Sequence, residues 1–131
     1  MGPKVQVVDT SVLIAYMDAR DPHHHAAHHV LASTPTADRI ISTVTYADVL
    51  VGVFRREPSS ERLERLMSEV SIVTFPVADA VAIQSALLRS KHRLDLPDAL
   101  IIATAEVLKA GLLTADRSWL RITPRAELIR T

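Results

Sequence analysis

The chain has 131 residues, with 15 basic and 15 acidic side chains, no cysteine and an aromatic content of 4%. This length predicts a single domain over residues 1–131 with an aliphatic core. The balanced charge favours no partner, so a nucleic-acid ligand would need a local basic patch. The lack of cysteine excludes disulfides and thiolate zinc sites. There is no signal peptide and no apolar run near the roughly 20 residues of a membrane span, so we expect a cytoplasmic protein without membrane association.

Short β-branched runs alternate with longer amphipathic runs along the chain. The β-branched runs predict strands at 5–9, 39–43, 71–75 and 112–116, with a short fifth strand around "AELIR". Helices are predicted from Thr10, from Asp21 with Pro22, over 45–56, after Pro58, over 78–92 and over 97–110, the last one ended by Gly111. This order predicts an α/β fold, a three-layer α/β/α sandwich around a mainly parallel sheet of four or five strands.

Four aspartates fall where predicted strands end or helices begin. Asp9 ends the first strand, Asp116 ends the fourth, and Asp48 and Asp98 lie near the starts of two helices. In parallel α/β sheets these positions meet at one edge, where the strands have their carboxyl ends. We therefore expect the four side chains to share one rim of the molecule.

Each of these acids has a purely structural alternative. The first and last can cap the turn or helix that follows them. Thr45 with Asp48, and Asp95 with Asp98, have the spacing of a capping box, with Asp in place of the usual Glu or Gln. Acids at helix starts also suit the helix dipole. Capping alone, however, does not require four carboxylates to converge.

Converging carboxylates repel one another and raise each other's pKa, and a divalent cation removes that cost. A set of oxygen ligands suits Mg²⁺, with Mn²⁺ as a substitute. We therefore predict a metal site that hydrolyses phosphodiesters. Its ligands and catalytic residues are predicted to be Asp9, Asp48, Asp98 and Asp116. The hydroxyls of Thr10, Ser11 and Thr114 are predicted to support these ligands, with local capping bonds as the alternative.

The segments "VVDTSVLIAY", "ISTVTYADVLVG", "LPDALIIATA" and "LLTAD" resemble PIN-domain ribonucleases, in particular the VapC toxins of toxin–antitoxin pairs. The resemblance implies a magnesium- or manganese-dependent endonuclease that cuts RNA, with acidic ligands at Asp9, Asp98 and Asp116. Its second acid is most often Glu, and the matching residue here is the shorter Asp48. The resemblance also implies a homodimer, and a cognate antitoxin that buries a C-terminal segment in a groove near the site.

Basic residues near the acids predict RNA contacts. Arg117 follows Asp116, and Lys91 and Arg93 precede the Asp98 helix, so all three are candidates for phosphate binding. Cations at a helix C-terminus also occur for dipole reasons alone. The histidines of "HHHAAHH" (23–29) are interpreted as a solvated helix face, with incidental metal capture as the alternative.

Two other functions remain open from the sequence. A receiver-like phosphotransfer domain also has acids on a sheet rim. It needs an acidic pair after the first strand, where Thr10 follows Asp9, and an aspartate ending the third strand. The other alternative is a catalytically weak or inactive module that keeps the fold to bind an antitoxin or RNA.

Overall fold

The computed structural model describes residues 5–33 and 38–130. Five strands form one sheet in the order β3-β2-β1-β4-β5, and all four pairings are parallel. The strands are β1 (Val5–Val8), β2 (Asp38–Ser42), β3 (Ile72–Phe75), β4 (Gly111–Thr114) and β5 (Ala126–Leu128). The predicted fifth strand is therefore confirmed, and the predicted ends of the other strands differ by one or two residues.

Helices cover both faces of this sheet, as the sandwich prediction requires. They are α1 (Thr10–Met17), α2 (His24–Ser33), α3 (Thr43–Phe54), α4 (Glu61–Glu69), α5 (Asp79–Lys91) and α6 (Leu96–Leu108), and a 3₁₀ helix covers Arg117–Arg121. Val8 points into the core formed with α1 to α4, and its neighbour Val7 into the core formed with α5 and α6. Since side chains alternate along a strand, one short strand contributes to both cores.

Several predicted helix ends are wrong by one to three residues. The second helix begins at His24 rather than at Asp21, whose carboxylate accepts a 2.8 Å hydrogen bond from the backbone N–H of His23 in the preceding turn. Helix α6 ends at Leu108, and Lys109 adopts the left-handed conformation (φ 53°) that glycine was predicted to supply. Gly111 instead begins β4.

Another error concerns the helix that carries Asp48. Helix α3 begins at Thr43, and Ser42 is its N-cap, accepting a 3.1 Å hydrogen bond from the backbone N–H of Val44. Thr45 and Asp48 therefore do not form a capping box. Asp48 lies in the second turn of α3 rather than at its start.

The strand order has a switch point in the middle of the sheet. Strand β1 pairs with β2 on one side and with β4 on the other. The chain adds β2 and β3 on one side of β1 and then adds β4 and β5 on the other side, so the strand order switches between β1 and β4. In open α/β sheets, ligands bind beside the carboxyl ends of the strands at such a point. Asp9 and Asp116 follow these two strands. A receiver-like domain has the order 2-1-3-4-5 instead, which does not fit.

Candidate active site

Asp9 is buried at the carboxyl end of β1, with 4% of its surface exposed. Its Oδ2 atom accepts hydrogen bonds from the hydroxyls of Ser11 (2.7 Å) and Thr114 (2.9 Å). Although Asp9 occupies the N-cap position of α1, its side chain makes no capping hydrogen bond there. The capping alternative therefore does not account for this residue.

Burial raises the pKa of Asp9, and the nearby negative charge of Asp116 raises it slightly further. The hydrogen bonds from Ser11, Thr114 and the Thr10 backbone act in the opposite direction, because they stabilise the carboxylate form. Asp9 is thus a desolvated carboxylate held by two hydroxyl donors, Ser11 and Thr114.

Thr114 links Asp9 to Asp116. Besides donating to Asp9, its Oγ1 atom accepts a 3.0 Å hydrogen bond from the backbone N–H of Asp116. The Asp116 carboxylate is exposed, and its Oδ1 atom accepts from the backbone N–H (2.9 Å) and the hydroxyl (2.6 Å) of Ser118. Asp116 therefore does cap the 3₁₀ helix, and both of these bonds go to its Oδ1 atom.

Asp98 lies half-buried in the first turn of α6. Burial raises the pKa of Asp98 to about 6, and the negative charges of Asp95, Asp9, Asp116 and Asp48 add to the effect in that order. The other three predicted ligands therefore lie within electrostatic range of Asp98. The predicted cap role of Asp95 is confirmed, since its Oδ1 atom accepts a 3.0 Å hydrogen bond from the Asp98 backbone N–H.

Asp48 is the predicted ligand with the smallest electrostatic effect on Asp98. It is exposed on α3. Among residues 5–33 and 38–130, no three acidic or histidine side chains already stand close enough to form a metal site. The carboxylates are gathered on one rim without being closed around a common point.

One polar pair at the site was missed from the sequence. Thr10 and Thr45 are joined by a 3.0 Å hydrogen bond between their hydroxyls, and Thr45 is fully buried. This contact connects the first turns of α1 and α3. The hydroxyl of Thr10 therefore bonds Thr45 rather than Asp9, and Thr10 affects Asp9 through its backbone, which lowers the pKa of that carboxyl.

The predicted RNA-contact residues flank the acids. Arg117 is exposed at the start of the 3₁₀ helix. Lys91 ends α5 and Arg93 lies in the loop that leads into α6, and both are exposed. Phosphate binding by these three residues stays a prediction.

The histidine cluster is only partly the solvated face that the sequence predicted. His25, His28 and His29 are exposed. The Nδ1 atom of His24 lies 2.8 Å from the carbonyl oxygen of Ala15, and the His28 ring stacks on Tyr16 with centroids 5.6 Å apart. Part of this face therefore holds α2 against α1.

The comparisons with known proteins agree with the fold. The model of the PIN domain family matches residues 7–123. The chain therefore belongs to the PIN domain family. No curated protein sequence matches it significantly. Among the described residues, none of the helices has the length and apolar character that a bilayer crossing requires.

Several solved structures are similar over nearly the whole chain. A toxin–antitoxin complex from Klebsiella pneumoniae has a TM-score of 0.75 and 25% identity, over 93% of this chain and 95% of that chain. A member of the VapBC family from Mycobacterium tuberculosis has a TM-score of 0.60 and 28% identity, over 98% and 100%. A sarcin–ricin loop cleaving toxin of the same organism, at 18% identity over 88% and 94%, shares the fold with a TM-score of 0.68. The resemblance to VapC toxins is therefore confirmed.

Proposed function

We propose that this protein is the toxin of a toxin–antitoxin pair and a metal-dependent endoribonuclease that acts in the cytoplasm. The observation that carries this proposal is the environment of Asp98. Burial and four neighbouring carboxylates raise its pKa to about 6. The repulsion between these carboxylates destabilises the folded protein, and a bound cation removes that cost.

The residues on this rim fit a hard divalent cation, Mg²⁺ or Mn²⁺, because every donor is a carboxylate oxygen. Asp9, Asp98 and Asp116 would hold it, and the exposed Asp48, where the family usually has the longer Glu, would contribute from α3. When bound, such a cation supplies an activated water and charge stabilisation for phosphodiester hydrolysis. Ser11 and Thr114 fix the Oδ2 atom of Asp9, so they position this carboxylate.

A groove next to Asp48 supports an antitoxin partner. It encloses about 180 Å³ between α1, α3 and the chain leading into α4. Its lining is largely apolar, with charged residues at the rim: Ile14, Met17, Asp18, Asp48, Val49, Gly52, Val53, Arg56, Glu57 and Arg62. We assign this groove to a peptide segment of the antitoxin, which would lie directly beside the acids.

A homodimer is part of the same proposal. Ile83 and Leu87 lie one turn apart on α5 and are 64% and 49% exposed. Leu96, at the start of the adjacent α6, is 49% exposed. Apolar side chains grouped in this way suit burial against a second copy.

The test of the proposed activity is RNA cleavage by Asp9→Asn and Asp98→Asn with Mg²⁺ present. Loss of a charged group that stabilises the transition state costs about 10²–10³ in rate. Both variants should lose at least that much and no longer arrest growth. Asp79→Asn is the matched control, because Asp79 is an exposed acid in the first turn of α5. Wild-type cleavage by Asp98→Asn would refute the assignment.

One observation favours the non-catalytic alternative. The acids do not already form a closed metal site among the described residues, and Asp48, where the family usually has Glu, is exposed. Calorimetric titration separates the two functions. An enzyme should bind Mg²⁺ or Mn²⁺ at millimolar concentration or below, whereas a pure binding module should bind neither.

A further inference from the structure

A notch beside Asp116 belongs to none of the sites described above. It lies at the carboxyl ends of β4 and β5 and has a volume of about 340 Å³. We define the basic notch by its lining residues, His23, Ala115, Arg117, Leu128, Ile129 and Arg130. Because Ala115 and Arg117 are the two neighbours of Asp116 in the chain, the basic notch opens directly beside the acid cluster.

The lining of the basic notch is cationic. Arg117 and Arg130 are exposed there, and no acidic residue is among the lining residues. Guanidinium groups present several N–H donors in one plane, which matches the oxygens of a phosphate. The positive charge of the two arginines therefore favours an anionic ligand, although the net charge of the whole chain is zero.

His23 adds an unsatisfied polar atom. Its Nδ1 atom is buried and has no hydrogen-bond partner among the described residues. A buried polar atom without a partner costs free energy, and such atoms are rare in folded proteins. His23 therefore adds a polar ring to the lining of the basic notch, beside the two arginines.

The basic notch continues along the outer strand of the sheet. Two further cavities, of about 520 and 340 Å³, also have Leu128 and Arg130 in their lining. The first shares Arg117 with the basic notch, and the second extends to His29. Glu127 lines both of these cavities and is the acidic residue in them. The three cavities follow β5, which is an edge strand, so the surface suits an extended polymer.

We propose that the basic notch binds a backbone phosphate of the RNA strand adjacent to the bond that is cut. Arg117 and Arg130 would hold the phosphate, and the rest of the strand would run along β5. This inference rests on the proposed function, since it names how the substrate approaches the acids. Few aromatic side chains line these cavities, so contacts to phosphates rather than base stacking would set the affinity.

The test is binding of a fluorescein-labelled single-stranded RNA oligonucleotide in EDTA, measured by anisotropy at several salt concentrations. Each phosphate contact contributes about 0.7 to the slope of log K against log salt for a single strand. Arg130→Ala should lower this slope by about 0.7, and Arg117→Ala with Arg130→Ala by about 1.4. Binding at low salt should weaken about five- to tenfold for the single variant.

The control is Arg65→Ala, an exposed arginine on α4, which packs beside β3 at the opposite edge of the sheet. It should leave the slope unchanged. Circular dichroism should show that all variants are folded, because the replaced side chains are exposed. A slope for the double variant equal to that of the wild type would overturn the proposal.

A second probe, an octaglutamate peptide, tests whether the basic notch binds an acidic protein segment instead of RNA. If an octaglutamate peptide lost its binding in Arg130→Ala while RNA binding stayed at the wild-type level, the basic notch would be a protein site and the proposal would be wrong. RNA binding in EDTA tests the basic notch independently of the proposed cleavage activity. Asp98→Asn should bind RNA in EDTA at least as well as the wild type, even though it does not cleave.

Discussion

The two ends of the acid cluster differ in how their carboxylates are held. Asp9 follows a central strand, is 4% exposed, and receives hydrogen bonds from Ser11 and Thr114. Asp98 begins a helix, is half-buried, and is surrounded by other carboxylates that raise its pKa to about 6. At Asp9, hydrogen bonds lower the pKa and so oppose the effect of burial, whereas at Asp98 the surrounding charges raise the pKa further than burial alone.

This difference indicates two roles within one site. The side chain of Asp9 is fixed before any ligand arrives, so it defines where a cation would sit. Asp98 has the unfavourable charge interactions, so a bound cation would reduce the repulsion most at this residue. The preorganised carboxylate therefore lies at the end of a strand, and the carboxylate with the strongest charge repulsion lies on helix α6.

The largest expected effect comes from lengthening each carboxylate by one methylene. In Asp9→Glu the longer side chain must fit a position that is only 4% exposed, and overpacking costs about 1–3 kcal/mol. RNA cleavage should fall about 100-fold, the size of the loss of one stabilising group. Asp98→Glu, on a half-exposed helix start, should lose less than tenfold. Equal losses, measured by initial rates at saturating Mg²⁺, would remove the distinction between the two ends.

The next effect concerns the hydroxyl that holds Asp9. Thr114→Val removes the bond to the Oδ2 atom of Asp9 and the acceptor for the Asp116 N–H, both in a fully buried position. Leaving buried groups unpaired should lower the free energy of unfolding by about 1–3 kcal/mol. The pKa of Asp9 should rise, since this bond lowers it, so activity should be lost at a higher pH on acidification.

The matched control for this change is Thr104→Val. Thr104 is equally buried, but its hydroxyl donates to the Leu100 carbonyl within α6, where that carbonyl still has its helical partner. Denaturant titration should show a cost below about 1 kcal/mol. The pH profile of cleavage should stay at its wild-type position. A shift in Thr104→Val as large as in Thr114→Val would show that the effect is not specific to Asp9.

A smaller effect follows from the raised pKa of Asp98. The folded protein holds this proton up to about pH 6, whereas the unfolded chain releases it near 3.8. Stability from this group is therefore complete below pH 3.8 and is lost as the pH rises through 6. Asp98→Asn should raise the free energy of unfolding at pH 7.5 by about 1 kcal/mol, a value reduced for solvent screening.

Thermal melts without metal should check this pH dependence. The gain of Asp98→Asn should disappear below pH 4, where the wild-type carboxyl is protonated as well. Asp79→Asn, the control on α5, should give no gain at pH 7.5. A melting temperature of Asp98→Asn at or below that of the wild type at pH 7.5 would contradict the repulsion around Asp98.

The smallest effect concerns the groove beside Asp48. A Cβ atom at Gly52, inside α3, would meet no other atom within 4 Å. Gly52→Ala should therefore raise the free energy of unfolding by about 0.5–1 kcal/mol, because alanine loses less backbone entropy in a helix. Cleavage should not change. Destabilisation in a urea titration would mean that the groove wall at Gly52 is closer than described.

Much of the fold was predictable, since β-branched runs alternate with helical ones and each strand is short. The ends of helices were less so. Gly111 carried the usual signal for a helix stop, but Lys109 takes the left-handed position and the glycine begins β4. The start of α3 was also misplaced. Ser42 and Thr45 are both good caps, and the bond from Thr10 to Thr45 joins the second of them to α1 instead.

The acid cluster was predictable in position but not in character. The rule for parallel sheets placed Asp9 and Asp116 on one rim without structural information. Their burial depends on tertiary packing: the same rule does not distinguish the enclosed Asp9 from the exposed Asp48. The basic notch could not be predicted either, because His23, Arg117 and Arg130 are brought together only when β5 completes the sheet.

The most direct test of the central claim is Mn²⁺ binding followed by electron paramagnetic resonance. The claim is that the rim acids gather to hold a divalent cation. Wild-type protein should bind Mn²⁺, with affinity at least tenfold weaker in Asp98→Asn and unchanged in Asp79→Asn. Equal binding by the wild type and Asp98→Asn, or no binding by either at millimolar Mn²⁺, would contradict the account.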